Sequence, residues 1–130
     1  MHRFDVRTGQ REQMLDITDA VSAAVAELGV DDGAVLVHVP HTTAAVTVNE
    51  GYDPAVVRDV LRHLAGLVPQ SAGFAHAEGN SDSHIKAILV GCGQPIPVEA
   101  GALALGRWQR VFLCEFDGPR TREVWVSRLG

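Results

Sequence analysis

Six histidines, a run of carboxylates and a single lysine are the side chains of this sequence with the widest chemical reach. His41 follows Pro40 at the end of an apolar run, His76 lies in a glycine-rich stretch, and His84 opens a short helical segment. Each stands at the end of an element, where side chains from distant parts of a chain can converge on a cleft. Neutral imidazoles are common ligands of zinc and similar ions, and three of them around an open position make a catalytic metal site. His41, His76 and His84 therefore form a candidate set for a divalent ion, zinc or magnesium. The sequence has no HExxH and no HxxxH pair, so only the tertiary fold could bring them together. His38, in mid-strand among valines, and His63, late in a helix beside Arg62, read as structural.

Carboxylates crowd the same segments. Glu50 and Asp53 follow His41, while Glu78 and Asp82 bracket Asn80 between His76 and His84. A magnesium site uses one or two carboxylates with substrate phosphates, and a general acid or base is a carboxylate of shifted pKa beside the reacting atom. Asp53 doubles as a helix cap and Asp82 as a loop charge, which leaves Glu50 and Glu78 as the functional pair. Lys86 falls in the first turn of the expected helix, where free N–H groups and the dipole favour an anion. Arg120, in the turn Asp-Gly-Pro-Arg, is a second anion clamp. The chain has ten arginines but one lysine, and its two asparagines are Asn49 and Asn80; residue types this scarce are candidates for a specific chemical need.

Other motifs fail. His-Ala-Glu at 76–78 lacks the P-C-x-x-C of zinc deaminases, Gly-Cys-Gly at 91–93 is too short for a dinucleotide loop, and no GxxxxGK[ST] occurs. Cys92 follows the C-terminus of a helix, where the dipole raises a thiol pKa and disfavours a nucleophile. Cys114 alternates with Phe112 and Phe116 and reads as core.

The elements that must position these residues are legible in outline. Alternation of apolar and polar residues predicts a strand over His2 to Thr8. A helix capped by Thr18 or Asp19 closes at Gly29 and buries Val21, Ala24, Val25 and Leu28. Residues 34–40 read as a central strand covered on both faces, and 42–50 as the next strand. Asp53-Pro54 starts a helix that reaches about Leu64. A loop spans Gly66 to Ser83, followed by a helix from Ser83 to Gly91. Strands over 94–101 and 107–116 come next, and Asp117 to Arg120 turns the last of them into a C-terminal hairpin with residues 122–129. The fold class is α+β: one compact domain over residues 1–130, mixed but mainly antiparallel sheet, with two to three helices.

Composition bounds the rest. With 16 acidic and 11 basic residues the net charge is −5, and the absence of a basic cluster argues against nucleic acid as a partner. No segment suits a membrane span or an apolar signal core, so the expected location is the cytoplasm. Two cysteines without CxxC spacing fit reduced thiols. A hydrophobic share of 46% supplies a core without staples.

Three motifs together resemble one family: HTTAAVTVNEGYDPAV, the H-x-E-G-N-x-D-x-H-I-K pattern over 76–86, and PIPVEAGALALGRWQRVFLCEFDGPR before a closing strand. They are similar to the YjbQ or UPF0047 family, described as secondary thiamine-phosphate synthases. The resemblance implies an α+β homotrimer with its polar motifs near subunit contacts. It also implies that His41, Asn49, Glu50, His76, Glu78, Asp82, His84, Lys86, Gln109 and Glu115 belong to the family's polar pattern. Glu50, Glu78 and Glu115 are then the expected catalytic residues. Asn49, Asp82, Lys86, Gln109 and Arg120 are expected to bind substrate. The implied reaction joins hydroxymethylpyrimidine diphosphate to a thiazole phosphate and releases diphosphate. Two other readings stand beside it: a metal-dependent hydrolase or lyase built on His41, His76 and His84, and a trimeric, non-enzymatic ligand-binding module.

Overall fold

A computed structural model describes residues 1–130. Its elements are β1 His2–Arg7, β2 Gln13–Asp16, α1 Thr18–Leu28, β3 Gly33–His38, β4 Ala44–Glu50, α2 Pro54–Leu67, α3 Ser81–Val90, β5 Gly93–Glu99, β6 Ala102–Leu103, β7 Gln109–Glu115 and β8 Thr121–Leu129. The strands form a five-stranded sheet in the order β1-β8-β3-β5-β6 and a three-stranded sheet in the order β2-β7-β4. Every pairing is antiparallel. The expected α+β class, with three helices, is what the chain adopts.

The period-2 alternation of strand side chains builds three layers. Val35 and Val37 of β3, Ile96 and Val98 of β5, and Val124 and Val126 of β8 meet Val21, Ala24 and Val25 of α1 in the main core. Ala44 and Val46 of β4 and Val111 and Leu113 of β7 face that same core. Their neighbours Ala45, Phe112 and Cys114 point the other way, into a second cluster with Ala87 of α3 and the half-buried Val57, Leu61 and Leu64 of α2. The three-stranded sheet is therefore the middle layer, and β7 is buried on both faces from Val111 to Glu115. A strand in that position carries an almost unbroken apolar run.

This layering corrects the expected C-terminal hairpin. β7 and β8 lie in different sheets, because β7 is covered on both faces whereas β8 alternates between buried and open positions. The turn between them contains a cis Gly118-Pro119 bond and is clamped to the N-terminal segment: Gly118 N–H donates to the Arg11 carbonyl and Thr8 N–H to the Arg120 carbonyl, each at 2.9 Å. A Cβ on Gly118 would stand 2.3 Å from the Gln10 carbonyl oxygen, so only glycine admits this approach. β3 is central in its sheet, as expected, but only one face is fully covered; Leu36 and His38 are half-buried, and His38 packs against Trp125 at 5.7 Å.

Other boundaries shift for local reasons. β2 was not expected from the sequence; its four residues are too few to show a period. Neither Thr18 nor Asp19 caps α1. The cap comes from Asp16, whose carboxylate accepts Thr18 N–H at 3.0 Å and Thr18 Oγ1–H at 2.6 Å. Gly29, at φ 65°, ends α1 as expected. Asp53 caps α2 by accepting Ala55 N–H at 2.9 Å, with Pro54 at the first helical position, and α2 runs on to Leu67. α3 begins at Ser81, which moves Lys86 from the first turn to the second.

Candidate functional site

The end of the three-stranded sheet where Ala44 pairs with Glu115 carries most of the residues singled out above. His41 enters from the β3–β4 connection and His84 from α3, and both line one cleft of about 390 Å³ together with Thr42, Ala44, Ile88 and Cys92. His76, exposed in the connection before α3, sets its ring against His84 edge to face, with centroids 5.3 Å apart. Glu78 is 4.0 Å from His76 Nε2 and open to solvent. The three imidazoles thus gather at one place.

They do not form a metal-holding group within one chain. No three or more His, Cys, Asp or Glu side chains are so arranged. His41 Nε2 accepts the Glu123 backbone N–H at 2.9 Å, which engages that lone pair and leaves the ring proton on Nδ1. Burial lowers the His41 pKa and the Arg122 charge lowers it further, while Glu123 and Glu115 oppose this without reversing it. His41 is therefore held as a neutral imidazole with an N–H to donate.

Beneath the cleft the charged residues are bound to one another. Glu115, fully buried, receives Arg122 Nε at 3.0 Å on each oxygen and Arg122 Nη2 on Oε2. It also accepts from Thr8 Oγ1 at 2.8 Å and Asp117 N–H at 3.2 Å. Arg122 in turn donates to the Thr43 hydroxyl at 2.8 Å and its carbonyl at 3.2 Å. Lys86, with 1% of its surface exposed, contacts Asp82 at 2.9 Å and Glu12 at 3.3 Å. Arg11 binds Asp82 with two nitrogens at 3.0 and 3.2 Å. Burial by itself would raise the Asp82 pKa, yet the hydrogen bonds and charges of Arg11 and Lys86 outweigh it and keep the carboxyl below its ordinary value. Lys86 thus lies closed among carboxylates and not at an anion-binding helix start. Ser83 Oγ–H donates to the Phe116 carbonyl at 2.5 Å, tying α3 to β7.

Asn80 gives its Nδ2–H to Asp117 at 2.8 Å, and its Oδ1 is buried without a partner. Arg120, largely exposed, clamps Asp117 through Nε to the carbonyl at 2.9 Å and Nη2 to the carboxylate at 3.1 Å. Asn49, Glu50 and Gln109 are elsewhere. They sit at the opposite end of the same strand pair, where Glu50 faces Gln109, six residues or roughly 20 Å along the strand from Ala44. Asn49 Oδ1 accepts the Glu50 N–H at 2.8 Å, and Gln109 Oε1 accepts the Gly106 N–H at 2.8 Å. The expected set is therefore divided between two ends of one sheet. Thr42, Ile88 and Cys92 of the cleft were not singled out as site residues, and neither was the Arg122 that pairs with Glu115. No helix is long and apolar enough to cross a membrane.

Known proteins share this sequence and fold. Residues 2–130 match the family model described as UPF0047 protein YjbQ-like. A UPF0047 protein of Methanocaldococcus jannaschii is 45% identical over 130 residues, covering 100% of this chain and 94% of its own. YugU of Bacillus subtilis is 44% identical, with 98% and 97% covered. The crystal structure of a YjbQ/UPF0047 protein from Clostridium acetobutylicum superposes with a TM-score of 0.96 at 46% identity, over 99% of this chain and 100% of that one.

Proposed function

The chain belongs to the YjbQ-like UPF0047 family, and from that membership we propose that it is a small-molecule enzyme whose working groups are the imidazoles of His41, His84 and His76. The single observation that carries this reading is the shared cleft: His41 and His84 line it and His76 touches His84 at its edge. The surrounding charges support it by elimination. Lys86 is paired with Asp82 and Arg122 with Glu115, so neither of these buried cations is free to meet a substrate.

The substrate class that fits is a small phosphorylated molecule, and the reaction is the one implied by the family resemblance. The thiazole nitrogen attacks the methylene carbon of hydroxymethylpyrimidine diphosphate; a C–N bond forms, the C–O bond breaks, and diphosphate leaves with the electron pair. Little activation of the nucleophile is needed. What the protein must supply is stabilisation of the departing diphosphate. His41 has an N–H to donate, and the His84 and His76 rings stand beside it where the buried Lys86 is closed off by Asp82 and Glu12. Arg120 flanks this end of the fold with a partly free guanidinium. Incubating the purified protein with both precursors yields thiamine phosphate and diphosphate in equal amounts under this reading; no product above background removes it.

A second reading rests on the His76–His84 pair. Two imidazoles on one tetrahedral ion have centroids roughly 5 Å apart, close to the 5.3 Å observed. A zinc ion held there would act as a Lewis acid toward phosphate oxygens, with its third protein ligand from a neighbouring copy in a homotrimer; two imidazoles do not suit magnesium, which takes oxygen ligands in octahedral array. Ile88, 80% exposed on the cleft rim, gives such an assembly apolar surface to cover. Metal analysis of protein purified without a chelating tag, together with the mass in solution, tests both. A metal-free monomer sinks this version and leaves the first standing.

A further inference from the structure

At the far end of the three-stranded sheet lies a second concavity. Glu50 ends β4, Tyr52 and Asp53 lead into α2, and Trp108 directly precedes β7. The Gly51 N–H donates to the Trp108 carbonyl at 2.9 Å and locks the two segments together. Between them opens a cleft of about 530 Å³ lined by Glu50, Tyr52, Asp53, Pro54 and Trp108.

Three independent features describe what it would hold. Tyr52 and Trp108 are 75% and 47% exposed, and their rings stand 5.0 Å apart, inclined at 58°. Aromatic surface of this size left in water commonly marks a binding site. Glu50 and Asp53 have no cationic partner; their recorded hydrogen bonds come from backbone amides, Asp53 N–H at 3.3 Å and Ala55 N–H at 2.9 Å. Finally, the Arg107 guanidinium lies 4.6 Å over the Trp108 ring; it occupies one π-face of a ring already in cation contact and leaves the other face for a ligand's charge.

We infer that this cleft binds a small organic cation, an alkylated or quaternary ammonium, with its charge against the Tyr52 and Trp108 rings and the Glu50 and Asp53 carboxylates at the rim. An anion would meet those carboxylates and be repelled. A metal ion would keep its hydration shell and gain little from the rings, and a neutral apolar solute would leave the acidic rim uncompensated. Within one chain the site lies at the opposite end of the β4–β7 pair from the imidazole cleft.

Choline serves as the probe and 3,3-dimethyl-1-butanol as its uncharged counterpart, with the Trp108 indole N–H followed by NMR and identified by its loss in Trp108→Phe. The expected result is a saturable shift of the Trp108 signal with choline, absent with the alcohol, while the Trp125 indole stays still. Tyr52→Ala weakens choline binding roughly tenfold. Glu50→Gln, which keeps the acceptor for Asp53 N–H, weakens it roughly two- to fivefold. No saturable shift, an equal response to the alcohol, parallel movement of Trp125, or unchanged affinity in both variants overturns the proposal.

Discussion

The two ends of the β4–β7 pair use similar residues in opposite ways. At the Ala44–Glu115 end, Glu115, Asp82, Arg122 and Lys86 are buried and fully engaged with one another. At the Glu50–Gln109 end, the half-buried Glu50 and the exposed Asp53 have no cationic partner and stand beside exposed aromatic rings. Burial decides between scaffold and site. An ion taken out of water is tolerated only when its hydrogen-bonding capacity is met, so a buried charged motif is consumed by the fold.

The sharpest way to break this comparison is to leave one buried ion alone. Arg122→Met strands Glu115 and is expected to cost about 3–5 kcal/mol in chemical denaturation. Adding Glu115→Leu to it should restore much of that loss, because an apolar pair needs no partner. A cost below about 1 kcal/mol for the single variant would mean that water reaches this end and that its charges remain available. At the open end effects are smaller. Asp53→Ala removes the α2 cap at a cost of about 1 kcal/mol, while Asp53→Asn, an equally good cap, should be near neutral in the same denaturation series.

Proton linkage gives the finest test. The folded protein holds His41 at a lowered pKa, first by burial and then by Arg122. The unfolded chain therefore binds its proton at higher pH than the folded one, and stability rises with pH across the interval between the two values. That contribution is fully present above the ordinary histidine value near 6.5 and is lost as pH falls through the folded one. Denaturation midpoints of the wild type should drop over this interval relative to His41→Asn. Parallel curves for the two proteins would remove the claim that His41 is held neutral.

How much of this was legible in the sequence follows from the same physics. Local signals worked where structure is local: Asp53-Pro54 marks the start of α2 and Gly29 the end of α1. The Phe112–Cys114–Phe116 alternation marks core, and burial pushes the Cys114 thiol up to about 12. Strand pairing across layers is non-local, so adjacency of β7 and β8 in the chain suggested a hairpin although they serve different sheets. The position of Lys86 two residues beyond His84 suggested an anion clamp, and nothing in that spacing revealed Glu12, 74 residues away, closing over it. Tyr52 and Trp108 went unremarked because what matters about them is exposure, which composition does not disclose.

In the proposed function His84 acts chemically while Lys86 is scaffold. The most direct test is the initial rate of diphosphate release from the two precursors by wild type and by His84→Asn, with unfolding midpoints measured on the same samples. The expectation is measurable wild-type turnover and a loss of roughly 10²- to 10⁴-fold in the variant at an unchanged midpoint. A variant as active as the wild type, with its fold intact, would contradict it.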